Sequence, residues 1–439
     1  MRIANFEATG LPEAADWLKK NPGIDRNGLK KVLQMINVSF LLEGINRLQS
    51  MLICELKDSY VQQSQRYVVQ SSEGCILPPE LDSADRKRAE RLLAKSFSLY
   101  AEMSALKEGT FSGRPKPENY CYGIPIEDAR YILPLAVTTN VCVALSGDKL
   151  LDLFDLFFNP CYGKLFLPLA AALLNCLPES LWPFFTPADA ETGYETEGFY
   201  QPYFSRITEE NDVVLLDKFS KLDLKVGLGA LTSTLGESPA DRLIVWGDKA
   251  EEEARKVAER VLNYGHDSIA EQARTTFGLM CSLVTYHQQL RHRLTKNYRE
   301  SLLTVLRQDL RIKLPPTIVN SSFETEFRQL AEEFKEFRDY LWDKYGQAAA
   351  FYFLLNCDQI KLVISSNARA DISMLADRIC LNAQWEIREL ATKKLLLLRD
   401  LSSVLYEKAL PACVLGKCRE GRMCCGRQHE VRDKFLKER

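Results

Sequence analysis

In "RHRLTKNYRESL" (291–302) two arginines flank a histidine, and seven residues separate Arg293 from Ser301. The chain carries 57 Lys and Arg against 59 Asp and Glu, so no global excess of cations explains this concentration. Phe277, Cys281, Val284, Gln288 and Arg291 recur at helical spacing, which reads as one stripe over 273–290. Arg291 then continues an apolar face and should point inward, where a guanidinium needs a carboxylate or a phosphate. A solvated basic face is the alternative from spacing alone. "SNARAD" (366–371) reads as a strand-to-helix turn, in which Asn367 caps a helix or, with Arg369, meets an anion. Arg378 shares a helical stripe with Met374, Leu381 and Trp385, on one long helical pattern over 369–409.

Other constellations carry less. His266, His287 and His292 lack the short spacing of a zinc ligand pair and a cysteine nearby. "GLGALTSTLG" (227–236) fits neither the dinucleotide fingerprint nor the phosphate loop. The tail "CVLGKCREGRMCCG" (413–426) has no zinc-finger spacing, so its cysteines read as structural or redox groups. No metal site is expected.

The elements that position these residues come in two echoing halves. With 439 residues, 46% hydrophobic and 26% charged, the chain is long enough for two or three domains. A net charge of −2 gives no reason to expect nucleic acid or an anionic membrane as partner. No apolar run reaches the ~18 residues of a spanning helix, and "MRIANFEATGLPEAADW" has no signal-peptide core. A cytoplasmic protein with mostly reduced thiols is expected. Phe40 and Phe277, Ser64 and Ser301, and Pro78 and Pro315 all share one spacing, 237. "ALSGDKLLDLFDL" (144–156) and "ISSNARADISML" (364–375) are related at 221. Two copies of one α+β domain are expected, 1–205 and 206–439, each a small antiparallel sheet with long helices. Helices are expected at 84–108, 148–177, 250–263 and 323–345. "FYFLLN" (351–356) and "IKLVISS" (360–366) read as strands. The acidic, aromatic segment 186–203 reads as a linker or a surface wrap.

These segments resemble the flavin-dependent thymidylate synthases, with Arg291, His292, Arg293 and Ser301 matching the Arg-His-Arg, seven residues, Ser signature. His266, Ser268 and Glu271 match a second element, and "NAR" (367–369), "AQWEIRELA" (383–391) and the cysteine-bearing tail match others. Over 38–178 the first half resembles the same family through "QQSQRYV" (62–68), "LPPE" (77–80) and "EDARYILP" (127–134). Each half departs from the pattern differently. Cys54, Glu55 and Leu56 stand where the first half should have Arg-His-Arg, and Ser146, Gly147 and Asp148 replace its "NAR". It also reads as lacking the N-terminal strand and the histidine element. In the second half Arg299, Leu302, Leu303 and Phe351 replace the residues that match Gln62, Gln65, Arg66 and Arg130.

The resemblance implies that Gln62, Ser64, Gln65, Arg66 and Arg130 hold the phosphate and sugar of dUMP. It implies that Gln288, Arg291 and Arg378 meet the uracil ring, with Arg291, Ser64 and Arg378 catalytic. Ser233, His266, Ser268, Arg291, His292, Arg293, Asn367 and Arg369 are implied to hold FAD. The implied reaction is reductive methylation of dUMP, with NADPH and methylenetetrahydrofolate as co-substrates, at sites that draw on both copies. A homodimer that imitates the family's tetramer is implied. Two other readings are a non-catalytic flavin- or nucleotide-binding paralogue and a related flavin-dependent methylase with another nucleotide substrate.

Overall fold

A computed structural model describes residues 1–107, 115–186 and 196–436. The chain forms two compact units. The first comprises Met1–Glu195, Ser282–Arg291 and Ser301–Gln359; the second comprises Thr196–Cys281, His292–Glu300 and Ile360–Arg439. The units therefore do not follow the expected copies 1–205 and 206–439, because two segments of the second half pack with the first.

In unit 1, strands β1 (Arg2–Thr9), β2 (Asn37–Asn46), β3 (Ser59–Gln62) and β4 (Thr138–Ser146) form an antiparallel sheet in the order β1-β2-β4-β3. The helices Ser83–Met103 and Glu324–Tyr345 bury Leu92, Leu93, Phe97, Phe327, Phe334 and Phe337. The buried Arg338 guanidinium pairs with Asp358 in the same unit. In unit 2, β5 (Val213–Lys218), β6 (Arg274–Ser282), β7 (Lys296–Arg299) and β8 (Gln359–Asn367) repeat that order as β5-β6-β8-β7. Its main core joins Phe277, Leu375, Leu395 and Tyr406. Among the described residues no helix is long and apolar enough to cross a membrane, and no disulfide is formed.

Element bounds repeat as well as strand order. β3 and β7 keep the spacing 237 at both ends (59 to 296, 62 to 299). β4 and β8, and the helices Gly147–Phe157 and Ala368–Arg378 that follow them, keep the spacing 221 at both ends (138 to 359, 157 to 378).

Several expected elements differ. The stripe over 273–290 is not one helix: β6 leads into a short helix, Leu283–Gln289. β6 is buried on both faces over most of its length, so its apolar run lacks the period that separates strand from helix. "FYFLLN" forms a 3-10 turn, Phe351–Phe353, and a single bridge from Leu355 to Pro134, rather than a strand. The pattern over 369–409 breaks after Arg378, and Gln384 caps a new helix, Trp385–Leu401, by accepting from Glu386 and Ile387 N–H. The pattern over 148–177 breaks likewise at a Pro160–Tyr162 turn. The N-terminal strand read as missing from the first half is present as β1. A bulge between Ala4 and Glu7, with Asn5 at φ 50°, interrupts its alternation. Of the expected linker at 186–203, residues 187–195 lie outside the described residues. Residues Glu197–Phe204 form a helix whose Tyr200 stacks on Tyr298 of β7 at 3.6 Å.

Candidate active site

Two short helices set up the site in unit 1, and each enters directly from a strand. After β2, Asn46 caps Arg47–Cys54 with a capping box: Asn46 Oδ1 accepts from Gln49 N–H at 2.8 Å, and Gln49 Oε1 accepts from Asn46 N–H at 2.9 Å. After β6, Ser282 caps Leu283–Gln289 by accepting from Thr285 N–H. Every residue of both helices is buried, polar ones included, so their polar side chains must find partners or a ligand.

The loops behind these helices pair with each other. Leu135 N–H donates to Leu354 O at 2.7 Å, and Asn356 N–H donates to Leu133 O at 2.9 Å. Leu133 and Leu354, like Leu135 and Asn356, are counterparts at the spacing 221, so each loop makes with the other the contact it receives. This crossing delivers Asn356, from the second half, to two first-half residues. Its Nδ2 donates to Arg130 O at 2.9 Å and to Gln65 Oε1 at 3.4 Å.

Around the crossing is a cluster of cations that its carboxylates do not balance. Arg66 pairs with Glu127, and Arg130 Nε donates to Glu127 O at 3.1 Å. Arg47 and Arg130 are almost wholly buried, at 5% and 3% exposure. Burial, followed for Arg47 by the charges of Arg130 and Arg291, lowers its pKa to about 9. Burial is also the main cause that lowers Arg130 to about 10. Both stay charged at neutral pH. Arg291 is exposed as a residue, but protein packed around its guanidinium, and then the charge of Arg66, lower its pKa too. His287, buried beside these cations, is held well below its ordinary pKa by burial first and then by Arg47, Arg291 and Arg130. Several buried polar atoms have no hydrogen-bond partner: Arg47 Nε, Arg130 Nη2, Gln65 Nε2, His287 Nε2, Asn356 Oδ1 and Asp128 Oδ1. Leaving each unpaired costs about 1–3 kcal/mol. Four of these six are nitrogens, and the guanidinium and amide ones are obligate donors, the complement of an oxygen-rich anion.

The structure thus brings together Gln65, Arg66 and Arg130 from the first half with Arg291 from the second. Gln62 Nε2 donates to Cys54 Sγ in the same unit. Ser64 Oγ accepts from Arg66 N–H at 3.2 Å, which fixes the turn that carries the arginine. Gln288 is buried, and its Nε2 donates within its own helix to Val284 O.

The remaining expected residues belong to unit 2. Asn367 caps the helix Ala368–Arg378 by accepting from Ala370 N–H at 2.9 Å. Beneath this turn Lys394 Nζ donates to Asp371 Oδ1 at 2.7 Å in a fully buried pair, and Ser366 Oγ donates to the same oxygen. Arg369 stands exposed and pairs with Glu271 at 2.6 Å. Arg378 Nε donates to His292 Nε2 at 2.6 Å. His266, Ser268 and Arg293 are exposed, and Ser233 Oγ donates to Ala230 O inside the helix Leu222–Thr234. A cavity of about 210 Å3 lies beside this set, lined by Asp267, Arg369, Ile372, Ser373 and Lys408 among others. No group of three His, Cys, Asp or Glu side chains fit for a metal occurs among the described residues.

The model of the thymidylate synthase complementing protein family matches residues 16–161 and 228–402, in both halves of the chain. The chain belongs to this family. Among curated relatives, the flavin-dependent thymidylate synthase of Geobacter sulfurreducens is 31% identical over 185 residues, covering 40% of this chain and 78% of that one. The enzyme of Clostridium tetani is 29% identical over 210 residues, 43% of this chain and 84% of that one. Two solved structures are similar in part. One is flavin-dependent thymidylate synthase ThyX from Helicobacter pylori complexed with FAD and dUMP, at 18% identity, TM-score 0.36, and 45% and 99% coverage. The other is the UMP/dUMP methylase PolB from Streptomyces cacaoi bound with 5-Br dUMP, at 22% identity, TM-score 0.37, and 45% and 93% coverage.

The motifs did not reveal Arg47, Glu127, His287 or Asn356 as members of the cluster. Arg47 had a signal: it is the one charge in "NRLQSMLIC" (46–54), an otherwise uncharged run that a fully buried helix carries. Asn356 had none, because its place depends on the loop crossing.

Proposed function

We propose that the chain is an FAD-dependent thymidylate synthase that methylates dUMP reductively, using methylenetetrahydrofolate and NADPH. The observation that carries this is the unit 1 cluster: buried guanidiniums and amides from both halves, short of carboxylates and of hydrogen-bond partners. A nucleotide phosphate supplies the missing acceptors. Arg66 and Arg130 hold it by charge-assisted hydrogen bonds, and Gln65 and Asn356 complete its polar shell. Arg291, at the accessible side of the cluster, donates to a uracil carbonyl and stabilises the charge that develops there. Ser64 positions Arg66.

In unit 2, His266, Ser268, His292, Arg293, Asn367 and Arg369 suit FAD. Two exposed guanidiniums and a capped helix start are the groups a pyrophosphate needs. Bound FAD supplies the redox chemistry that the side chains lack. Arg378 orients His292 through their hydrogen bond. We further infer a tandem duplication in which the halves kept different residues, because strand order and element bounds repeat while the site residues do not. A homodimer with four pseudo-subunits follows from that reading.

Purified protein should bind FAD, show a flavin absorbance spectrum, and form dTMP from dUMP only with NADPH and methylenetetrahydrofolate present. Protein that takes up no added FAD and forms no dTMP would refute this function. Arg369→Ala should weaken FAD more than dUMP.

A further inference from the structure

We propose that Arg47, which lies outside every recognised motif, is a phosphate ligand in the unit 1 cluster. This rests on the reading of that cluster as a nucleotide site, and adds a fourth guanidinium to it.

Arg47 is buried with its Nε unpartnered. The charged side chains that act on it most are Arg130 and Arg291, both repulsive, and no carboxylate is among them. Taking such a group out of water without a counter-ion is costly and needs compensation. The fold itself does not require the charge. Its counterpart in the second half is Leu283, the first residue of the equivalent short helix: Arg47 N–H donates to Val137 O and Leu283 N–H to Asp358 O, which are related at 221, and Leu283 is buried at 1% exposure. A leucine therefore fills the same place where no ligand is read. Charge counting agrees. Arg47, Arg66, Arg130 and Arg291 face Glu127 and Asp128, the carboxylates that act on Arg130. This excess of cations suits an anionic phosphate. His287 stays neutral there, and its buried, unpartnered Nε2 is available to the same ligand.

The test compares wild type, Arg47→Met and Arg47→Lys by calorimetric titration and by thermal unfolding. The probes are dUMP, inorganic phosphate and deoxyuridine. Without ligand, Arg47→Met should melt no lower than wild type, since it removes an uncompensated buried charge. Its dUMP affinity should fall roughly ten- to a hundredfold. The rise in melting temperature that phosphate gives wild type should vanish, and deoxyuridine affinity should be unchanged. Arg47→Lys, which keeps the charge without the fork, should bind dUMP with intermediate affinity. A ligand-free Arg47→Met that melts well below wild type would make Arg47 a structural group and overturn the proposal. So would dUMP affinity within twofold of wild type in Arg47→Met, or no phosphate or dUMP binding by wild type at all. Wild type that binds inorganic phosphate through Arg47 but not dUMP would support the proposal while refuting the thymidylate reading.

Discussion

The same backbone places appear twice in unit 1 with opposite chemistry. In one set stand Arg47, Gln65, Arg66, Glu127 and Arg130; their counterparts in the second half are Leu283, Leu302, Leu303, Ala348 and Phe351. The first set is charged and leaves buried donors unsatisfied. In the second, Leu283, Leu302 and Phe351 are 1–2% exposed, and Phe351 packs against Tyr162 with ring centres 6.0 Å apart. One place is built around a missing partner, and the other is closed by its own side chains. On the proposed duplication, exchanging a few residues turns a ligand site into core, and the remaining site carries the polar cost for both.

The largest effect that sharpens this contrast is on stability. Phe351→Ala empties a filled place and should cost about 3–5 kcal/mol of unfolding free energy in denaturant titration. Arg130→Met, at the matching position, should cost less, because it relieves the repulsion from Arg66 and leaves Glu127 paired with Arg66. Equal losses in both variants would break the contrast. On binding the order reverses. Arg130→Met should lose dUMP affinity by a factor of about ten to a hundred, while Phe351→Ala, wherever it is folded, should keep it. Leu303→Arg should create no second site, because Cys54 stands where that site would need the counterpart of Arg291.

The smallest expected effect is a pH dependence. His287 has a folded pKa well below its ordinary value, because burial and then Arg47, Arg291 and Arg130 disfavour its cation. Below pH ~6.5 the unfolded chain therefore binds more protons, and folding stability falls as pH drops through that value. The loss is at most about 1.4 kcal/mol per pH unit. His287→Asn should flatten the slope of unfolding free energy between pH 7 and 5, and an unchanged slope would place the titration elsewhere.

Much of the architecture was legible because repeats survive in register. β8 was legible from "IKLVISS" and the helices after β4 and β8 from their periodic stripes, while β3, β4 and β7 were not read as strands although their bounds keep the spacings 237 and 221. Arg291 was legible as a candidate because a cation continuing an apolar stripe needs an anion, whereas Arg66 and Arg130 were legible only through the family resemblance. What stayed hidden depended on contacts far apart in sequence. The exchange of Leu283–Gln289 into unit 1 leaves no periodic mark, since β6 and that helix are buried throughout most of their length. Asn356 looks like an ordinary loop residue until Leu133 and Leu354 bring the loops together. Arg47 was readable only as one charge on an uncharged helix, which has a plain alternative as a buried ion pair.

The central claim is that residues from both halves of the chain form one nucleotide site and that the counterpart positions form none. Calorimetric titration of dUMP into the FAD-loaded protein tests it most directly. The account predicts one dUMP bound per chain; two equivalent dUMP sites per chain would contradict it.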